Sequence, residues 1–431
     1  MIKKVLLVSV VFLGLLGQGL AQTRSLTLDE MFQLADQNNN RIRLYDLAIS
    51  EAEQGVKVAC NDRLPSIQAH VELNYIGDGV MTDRNFAHAV HADMPYFGNS
   101  FVLKASQVIY AGGAVAKGIE RSKLQKKEAE LEYVENRQDI RFLLAGYYLD
   151  LFQLNNQKRV YESNISQTRL LVKDMKASYR QGTDITRYEL QLQSLELSLT
   201  SVKDKIDVLS HKLATAVGLE PDVLILPDTT ELLKFNVENR TEEDWLLEIH
   251  HTPSVRLADI RIEQEKNKQD LIRAERRPKI SLVAANDFTG PILIEVPPLN
   301  NNFTYWYAGV GISYNIDTLF KSKRKLKQAQ LATRKMEEAR RVAEEEAEND
   351  IHAAYVNLNE AYIRLRTQKK SVQLAHENFN IVRQRYVNGL ALITDMLDAS
   401  NTQLDMELQL ANYQIGILYQ YYLLKKLTGN L

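Results

Sequence analysis

The stretch RYVNGLALITDMLD, residues 385 to 398, decides the fold of this chain. An Asn-Gly pair interrupts a long helical pattern, which then resumes with two aspartates three residues apart. A weaker copy, SYRQGTDITRYELQ, lies in the first half of the chain. Tyr179 and Gly182 in this copy precede Tyr386 and Gly389 by 207 residues each. The sequence therefore makes the same turn twice.

The two turns are interpreted as the tips of helical hairpins. Glycine readily adopts the left-handed conformation that often ends a helix, so Gly182 and Gly389 are expected to end their helices. Threonine is a favourable N-cap residue, so Thr186 and Thr394 are expected to cap the helices that return. Both tips lie at similar distances along the chain from the predicted strands, which places them at the same end of the molecule.

The repeat extends beyond the tips. Pro65 in RLPSIQAHVELNY and Pro278 in RRPKISLVAANDF are 213 residues apart, and Tyr110 and Phe320 are 210 residues apart. Offsets that stay close to one value, in the same order along the chain, indicate a duplication. The chain is therefore predicted to contain two copies of one helix–β-hairpin–helix plan.

Helix-start motifs and a linker separate the two copies. TLDE at 27–30 and TEED at 241–244 each place an acid three residues after a threonine, which is typical of a capped helix N-terminus. The first repeat is assigned to residues 22–219 and the second to residues 241–431. Residues 220–240 break the helical pattern and are interpreted as a linker packed outside the helices.

Each repeat contains one very long helix. Apolar residues between Ile351 and Tyr386 recur at spacings of three and four, with one break near Gln368. The first repeat shows the same pattern from Ile140 to Tyr179. A period near 3.5 residues is typical of supercoiled helices. A helix that begins near residue 321 and reaches Tyr386 would be about 100 Å long, so we expect an elongated, mainly α molecule with coiled-coil-like helices.

Two segments with alternating apolar residues lie between the helices of each repeat. The four predicted strands are residues 66–77, 100–112, 279–288 and 303–316. Their lengths suit tilted strands that cross a bilayer, and aromatic residues cluster around both hairpins as they do at a membrane interface. The same features also fit a small soluble sheet. Pro65 and Pro278 are expected at the turns from helix to strand.

Four strands cannot close a barrel, and open sheet edges are not tolerated in lipid. If the strands span a membrane, several chains must share one barrel. Two chains would supply eight strands, whose side chains fill the interior, whereas three would supply twelve strands and leave a lumen. A conducting function therefore favours a homotrimer.

The N-terminus predicts export. Lys3 and Lys4 precede an apolar stretch, residues 5–16, and small residues that end at Ala21 provide a cleavage site. Residues 1–21 are therefore interpreted as a signal peptide. No later run of about 18 apolar residues is present, so no membrane-spanning helix is expected.

Composition and motifs argue against several classes of function. The formal net charge is −2 and 25% of the residues are charged, a balance that argues against a nucleic-acid partner. The sequence contains no phosphate-binding glycine loop, no serine nucleophile elbow and no zinc-protease helix motif. We expect no enzyme activity, no cofactor and no metal site.

The sequence resembles the TolC family of outer-membrane efflux and secretion proteins over essentially the whole mature chain. The resemblance is carried by the signal sequence, the duplicated plan, the prolines before the strands, the two Y-x-x-G tips and ITDMLDA at 393–399. It implies a homotrimer with a twelve-stranded β-barrel in the outer membrane and a helical barrel in the periplasm. The implied role is passive export, in partnership with a periplasmic adaptor (membrane fusion) protein and an inner-membrane transporter of RND or ABC type.

The resemblance also implies roles for residues at the tips. The adaptor would dock at Gly182, Thr183, Gly389 and Leu390, and outer-membrane lipid would surround the strands.

Asp395 and Asp398 match the acidic pair that lines the periplasmic constriction of the family. Like charges gathered around a narrow threefold axis would attract cations and respond to pH. The same two residues are also favourable acids at a helix N-terminus, which is the alternative reading.

Tyr386 matches a tyrosine that helps to lock the closed tip in some members of the family. The arginine expected five residues later is Ala391 here. In the first repeat, Arg187 and Tyr188 occupy the positions where the resemblance implies an aspartate partner. The nearby aspartate, Asp184, is displaced toward the N-terminus. The interhelical lock is therefore expected to be absent or rebuilt.

Two other functions compete with this reading. One is a periplasmic coiled-coil scaffold or adaptor that does not span the membrane, which would purify without detergent. The other is protein secretion rather than small-molecule export, because the substrate is chosen by the transporter.

Overall fold

The computed structural model describes residues 23–177, 182–228, 240–295 and 298–431. The predicted signal peptide, Tyr179 and much of the predicted linker lie outside these residues. Within the described part of the chain, no helix combines the length and the apolar composition needed to cross a membrane.

The described residues are mostly helical, with a smaller β part. The helices are α1 (Leu28–Asn38), α2 (Asn40–Cys60), α3 (Ala114–Ala177), α4 (Gly182–Val217), α5 (Glu242–Leu246), α6 (Pro253–Ala274), α7 (Thr318–Val387) and α8 (Ile393–Leu427). The strands are β1 (Thr23–Leu26), β2 (Ser66–Tyr75), β3 (Gly79–Met81), β4 (Val90–Ala92), β5 (Phe97–Ala111), β6 (Leu224–Pro227), β7 (Lys279–Gly290) and β8 (Phe303–Ser313). Short 3₁₀ turns at Asn61–Arg63 and Ile249–His251 precede β2 and α6.

The chain forms two compact units, and each draws residues from both halves of the sequence. The first unit comprises Met1–Leu47, Leu131–Arg256 and Arg341–Leu431. The second comprises Ala48–Glu130 and Leu257–Arg340. The division into sequence repeats at 22–219 and 241–431 stays a prediction.

The second unit contains a four-stranded antiparallel sheet in the order β2-β5-β7-β8. The register of β5 with β7 shifts between Val108 and Tyr110. β3 and β4 form a separate small hairpin in the segment that joins β2 to β5. β2 and β8 are the edge strands, and the outer side of each is unpaired among the described strands.

The register separates the side chains of this sheet into two faces, because residues paired across antiparallel strands share a face. The apolar face carries Ile67, Val71, Leu73, Phe101, Leu103, Leu282, Phe288, Trp306, Val310 and Ile312. The other face is mixed and mainly polar, with the apolar residues Val102, Val283 and Phe303 among Gln68, His70, Glu72, Ser100, Lys104, Asp287, Tyr305 and Tyr307. The sheet is therefore two-sided, with one face suited to an apolar environment and one to water.

The starts of β2, β7 and β8 match the predicted starts, and the other bounds of the four long strands differ from the prediction by one to three residues. β5 begins at Phe97 rather than at residue 100, because Tyr75 of β2 pairs with Phe97. β8 ends at Ser313 rather than at residue 316, because its last partner is Lys279, the first residue of β7. These ends depend on where the partner strand begins or ends, and the alternation of residues within one segment does not show where that is.

The first unit is held together by apolar clusters between helices. One cluster joins Met31 of α1, Leu144 of α3 and Leu213 of α4 to Ile225 of β6. β6 lies inside the predicted linker and pairs in parallel with β1, so this part of the linker is a strand. β6 is held in place because Ile225 and Leu26 of its paired strand β1 are both buried in this apolar cluster.

A second cluster in the same unit surrounds Trp245 of α5, which packs with Ile351 of α7 and Tyr421 of α8. The two predicted capped helix starts are confirmed. Thr27 Oγ1 accepts from Glu30 N at 3.2 Å, and Thr241 Oγ1 accepts from Asp244 N at 3.3 Å.

The apolar stripe of α7 largely follows the predicted positions. Ile351, Phe379 and Tyr386 are buried. Tyr362, which was expected in the stripe, is 43% exposed. The break at Gln368 has a physical reason: its side chain is buried, and Nε2 donates to the Met406 carbonyl at 2.9 Å. An amide can occupy the stripe because α8 offers it a backbone acceptor.

Candidate functional site

The turn that follows α7 is a Schellman motif. Gly389 has φ of +75°, the left-handed conformation predicted for it. Gly389 N donates to the Tyr386 carbonyl at 3.0 Å, and Leu390 N donates to the Arg385 carbonyl at 2.7 Å. These bonds satisfy the last carbonyls of α7 and turn the chain sharply.

The helices that return from the tips begin earlier than predicted. α8 begins at Ile393, so Thr394 lies inside the helix and is not its cap. Asp395 takes the capping role instead, since its Oδ2 accepts from Leu392 N at 3.0 Å. Gly182 is helical and is the first described residue of α4, so it does not adopt the left-handed conformation predicted for it. Thr186 lies inside α4, and its hydroxyl donates to the Gly182 carbonyl at 3.0 Å.

Four helices meet just below the tips in one apolar cluster, which we call the tip cluster. Its buried members are Val172, Met175, Tyr188, Phe379, Tyr386, Ile393, Met396 and Ala399. They come from the end of α3, the beginning of α4, the end of α7 and the beginning of α8. Residues of both predicted hairpins therefore share a single small core.

A hydrogen bond crosses the tip cluster from α7 to α4. Tyr386 Oη donates to Asp184 Oδ2 at 3.2 Å, although Asp184 is displaced in sequence from the expected position. Ala391, which replaces the expected arginine, is partly buried against the tip cluster. A tyrosine–aspartate hydrogen bond with apolar packing therefore joins the two hairpins near the position where the resemblance implies a lock.

Tyr188 lies beside this pair and is fully buried. Its hydroxyl has no hydrogen-bond partner among the described residues. Burial, with a smaller contribution from Tyr386, raises the pKa of Tyr188 well above that of an ordinary tyrosine. The Tyr188 side chain therefore stays neutral and acts as part of the apolar packing.

Asp395 and Asp398 lie one helical turn apart on α8, and both are exposed. Ile393, Met396 and Ala399 turn the opposite face of α8 into the tip cluster. The two carboxylates are therefore directed away from the packed helices. Asp395 combines two features, because one of its oxygens caps the helix while the side chain remains open to solvent. Within the described part of the chain, no cluster of potential metal ligands occurs.

The extreme tip of the α7–α8 hairpin is apolar and exposed. Val387, Leu390 and Leu392 are 61%, 68% and 70% exposed. Gly182 and Thr183, on the neighbouring hairpin, are also exposed. Adjacent exposed apolar side chains of this kind mark an interaction site more often than a solvated turn.

Pro65 and Pro278 lie directly before β2 and β7. Proline lacks a backbone donor, so it suits the position just before a strand joins the sheet. Both residues therefore occupy the helix-to-strand turns predicted for them.

Some polar contacts near the tips were not predicted. Gln191 Nε2 of α4 donates to Asn401 Oδ1 of α8 at 2.8 Å. These residues are 210 positions apart, the same offset that separates Tyr110 from Phe320. The offset of the repeat was the signal that could have identified the pair.

Comparison with known proteins defines the class. A family model described as outer membrane efflux protein matches residues 31–199 and 247–430. The match covers most of the sequence, and the chain belongs to the outer membrane efflux protein family. No curated protein sequence matches the chain.

Solved structures share the fold at low sequence identity. The outer-membrane protein VceC of Vibrio cholerae has 16% identity and a TM-score of 0.74, covering 93% of this chain and 96% of VceC. The open state of the Neisseria gonorrhoeae channel MtrE has 17% identity and a TM-score of 0.73, covering 93% and 88%. The Campylobacter jejuni channel CmeC has 16% identity and a TM-score of 0.69, covering 94% and 85%. The predicted TolC-like fold is confirmed.

Membership of this family has direct consequences. The chain is an outer-membrane transport protein rather than an enzyme, and its helices form a large periplasmic part. The alternative of a periplasmic scaffold that never enters the membrane is therefore disfavoured.

Proposed function

We propose that the chain is the exit duct of a tripartite efflux or type I secretion system. Three copies would share one twelve-stranded barrel and continue it as a helical barrel in the periplasm. Transport through this duct is passive, and an inner-membrane transporter of RND or ABC type supplies the energy. A periplasmic adaptor connects the transporter to the helical tips.

The two-sided sheet supports the shared barrel. Its apolar face would meet lipid and its polar face would line a water-filled lumen. β2 and β8 carry unpaired backbone groups on their outer sides among the described strands, and such groups must be satisfied inside a membrane. Pairing β8 of one copy with β2 of the next satisfies them all, and twelve strands leave an open lumen.

The observation that carries the proposed constriction is the exposed pair Asp395 and Asp398 beside the tip cluster. A threefold axis near the tips would gather these carboxylates around the narrowest part of the duct. Converging negative charges favour cations over anions. Opening would occur when the α7–α8 hairpin swings outward and breaks the Tyr386–Asp184 hydrogen bond.

The first prediction tests the constriction. Replacing Asp395→Asn together with Asp398→Asn should lower the potassium-over-chloride permeability ratio several-fold, because the charges that concentrate cations are lost. Asparagine retains an oxygen that can cap α8, so the fold should be preserved. The measurement is the reversal potential of the purified channel in planar bilayers under a salt gradient.

The matched control is Asp204→Asn with Asp207→Asn, two exposed aspartates also three residues apart, on α4. This control should leave the permeability ratio close to that of the unmodified protein. An unchanged ratio in the Asp395 and Asp398 variant would remove these residues from the constriction. The conclusion that the protein is a channel would still stand.

The exposed apolar tip supports docking of the adaptor. Leu390, together with Gly389, Gly182 and Thr183, lies at the extreme end of the two hairpins. A helical partner with small apolar side chains would cover this surface.

A further inference from the structure

The polar face of the sheet carries three aromatic rings in a row on β8. Phe303, Tyr305 and Tyr307 alternate along the strand and therefore point to the same side. The ring centroids of Phe303 and Tyr305 are 5.6 Å apart, and those of Tyr305 and Tyr307 are 6.4 Å apart. The successive rings are inclined by 31° and 22°, so they form a continuous stack, which we call the aromatic ladder.

In a single copy, the aromatic ladder is open to solvent. Phe303, Tyr305 and Tyr307 are 53%, 48% and 46% exposed. The next two residues on the same face are Gly309 and Gly311, so no side chain covers the lower end of the ladder.

A membrane-interface role does not explain these rings. Aromatic residues that meet lipid lie on the apolar face, where Trp306 of the same strand and Phe101 of β5 are found. Rings directed into an aqueous lumen expose apolar surface to water, which is unfavourable. A solute that covers these rings would therefore be stabilised.

One acidic group lies beside the aromatic ladder. Asp287 of β7 is the direct register partner of Tyr305. Glu72 lies on the same face but three strands from Phe303, with Ser100 and Thr289 between them, and its Oε2 is 3.4 Å from His70 Nε2. Lys104 is the basic residue nearest in register, and it is separated from Tyr307 by Ala285 of β7. The ladder thus combines π faces with an adjacent carboxylate.

We propose that the aromatic ladder is a weak binding track for organic cations that carry aromatic or alkyl groups. The π faces attract the cationic nitrogen and stack with its apolar groups, while Asp287 adds charge attraction. Weak, repeated contacts of this kind allow a solute to enter and leave a channel. The proposal rests on the proposed function, because it requires the polar face to line a lumen.

Block of ionic current by benzyltrimethylammonium tests the proposal. The purified trimer is placed in planar bilayers with potassium chloride, and benzyltrimethylammonium is added to one side. We expect reversible, concentration-dependent block, whereas tetramethylammonium, with the same charge and no ring, should block far less.

Variants assign the block to the aromatic ladder. Tyr305→Leu with Tyr307→Leu should raise the half-blocking concentration about fivefold, the change that corresponds to losing about 1 kcal/mol of cation–π attraction. Tyr305→Phe with Tyr307→Phe keeps the rings and should keep the block. Trp306→Leu, on the opposite face of the same strand, is the matched control and should also keep it. If the double leucine variant fails to assemble, Tyr305→Leu alone carries the test.

The possible outcomes separate the two proposals. Equal block in the leucine variants and the unmodified channel, or loss of block in the phenylalanine variant, would overturn the aromatic ladder as the binding track. Normal potassium chloride current with no benzyltrimethylammonium block would do the same and leave the channel intact. Absence of any current in the unmodified protein would instead overturn the proposed function and, with it, the lumen that the ladder requires.

Discussion

Tyr386 connects the end of α7 to the beginning of α4 through one hydroxyl group. Its ring is buried in the tip cluster, and its Oη donates to Asp184 at 3.2 Å. A hydrogen bond to a charged acceptor contributes about 1.5–3 kcal/mol. A contact of that size can hold a hairpin closed and can still be broken when a partner binds the tips.

Removing this hydroxyl should therefore favour the open tip. Tyr386→Phe keeps the ring in the tip cluster and removes the hydroxyl that donates to Asp184. We expect a larger single-channel conductance or a higher open fraction in planar-bilayer recordings. Tyr188→Phe is the control, because its hydroxyl lacks a partner among the described residues. If both variants opened the channel equally, the Tyr386–Asp184 bond would not be the cause.

The sequence could identify Tyr386 as a tip residue but not its partner. Asp184 is 202 positions away, and its contact depends on how four helices pack in the tip cluster. Gly389 was predictable because the Asn-Gly pair demands a left-handed turn. The sequence predicts the same turn at Gly182, and this prediction is wrong because Gly182 is helical, as the first described residue of α4. The Asp395 cap was available from the sequence as a helix-terminus acid, and the structure retains it.

At the scale of elements, α1 is attached to α3 by one carboxylate. Asp36 accepts from Arg137 Nη2 at 2.8 Å and from Arg141 Nη2 at 2.5 Å. Burial raises the pKa of Asp36, but the hydrogen bonds and charges of Arg141 and Arg137 outweigh burial and leave the pKa below its usual value. The folded protein therefore favours the charged form of Asp36.

This arrangement predicts acid sensitivity of the docked helix. Because the folded pKa of Asp36 is lowered, its stabilising effect is complete above the usual aspartate pKa and is lost as pH falls through the lowered value. Asp36→Asn should lower the free energy of unfolding near neutral pH by about 1–3 kcal/mol and weaken its decline in acid. Thermal melting followed by circular dichroism across pH measures both effects.

Asp46→Asn, an exposed aspartate on α2, is the control for this change. It should melt like the unmodified protein at every pH. Identical acid sensitivity in Asp36→Asn and the unmodified protein would show that the contacts of Asp36 with Arg137 and Arg141 do not set the pH dependence of stability.

Element types were largely predictable, as were the starts of β2, β7 and β8, but several other element ends were not. The period of the stripe from Ile351 to Tyr386 identified α7, because one face of a long helix must be buried. Gln368 appeared as a defect in the stripe, and only the Met406 carbonyl on α8 explains it. The sequence predicts a linker at β6 because a four-residue strand has too few residues to show alternation.

At the scale of the whole molecule, the two edges of the sheet continue into helices with exposed apolar residues. Val58 of α2 lies eight residues before β2 and is 65% exposed. Phe320 of α7 lies seven residues after β8 and is 77% exposed. β2 and β8 occupy opposite edges of one sheet. Pairing β8 of one copy with β2 of the next would therefore bring Phe320 and the neighbour's Val58 to a similar level below the barrel.

This juxtaposition can be tested by cross-linking. A Cys60→Ser background removes the only native thiol, and Val58→Cys with Phe320→Cys introduces one thiol at each edge. A short bismaleimide should then link neighbouring copies and give a denaturing-gel ladder that ends at three chains, because a closed ring offers no further free edge. Each single-cysteine variant is a control and should not form the trimer band. Products confined to one chain, or products that extend beyond three, would contradict a three-copy barrel closed between β2 and β8. A trimer band in the double variant, absent from both single variants, would place both edges at one repeated seam, because each link then joins a β8 edge to a β2 edge.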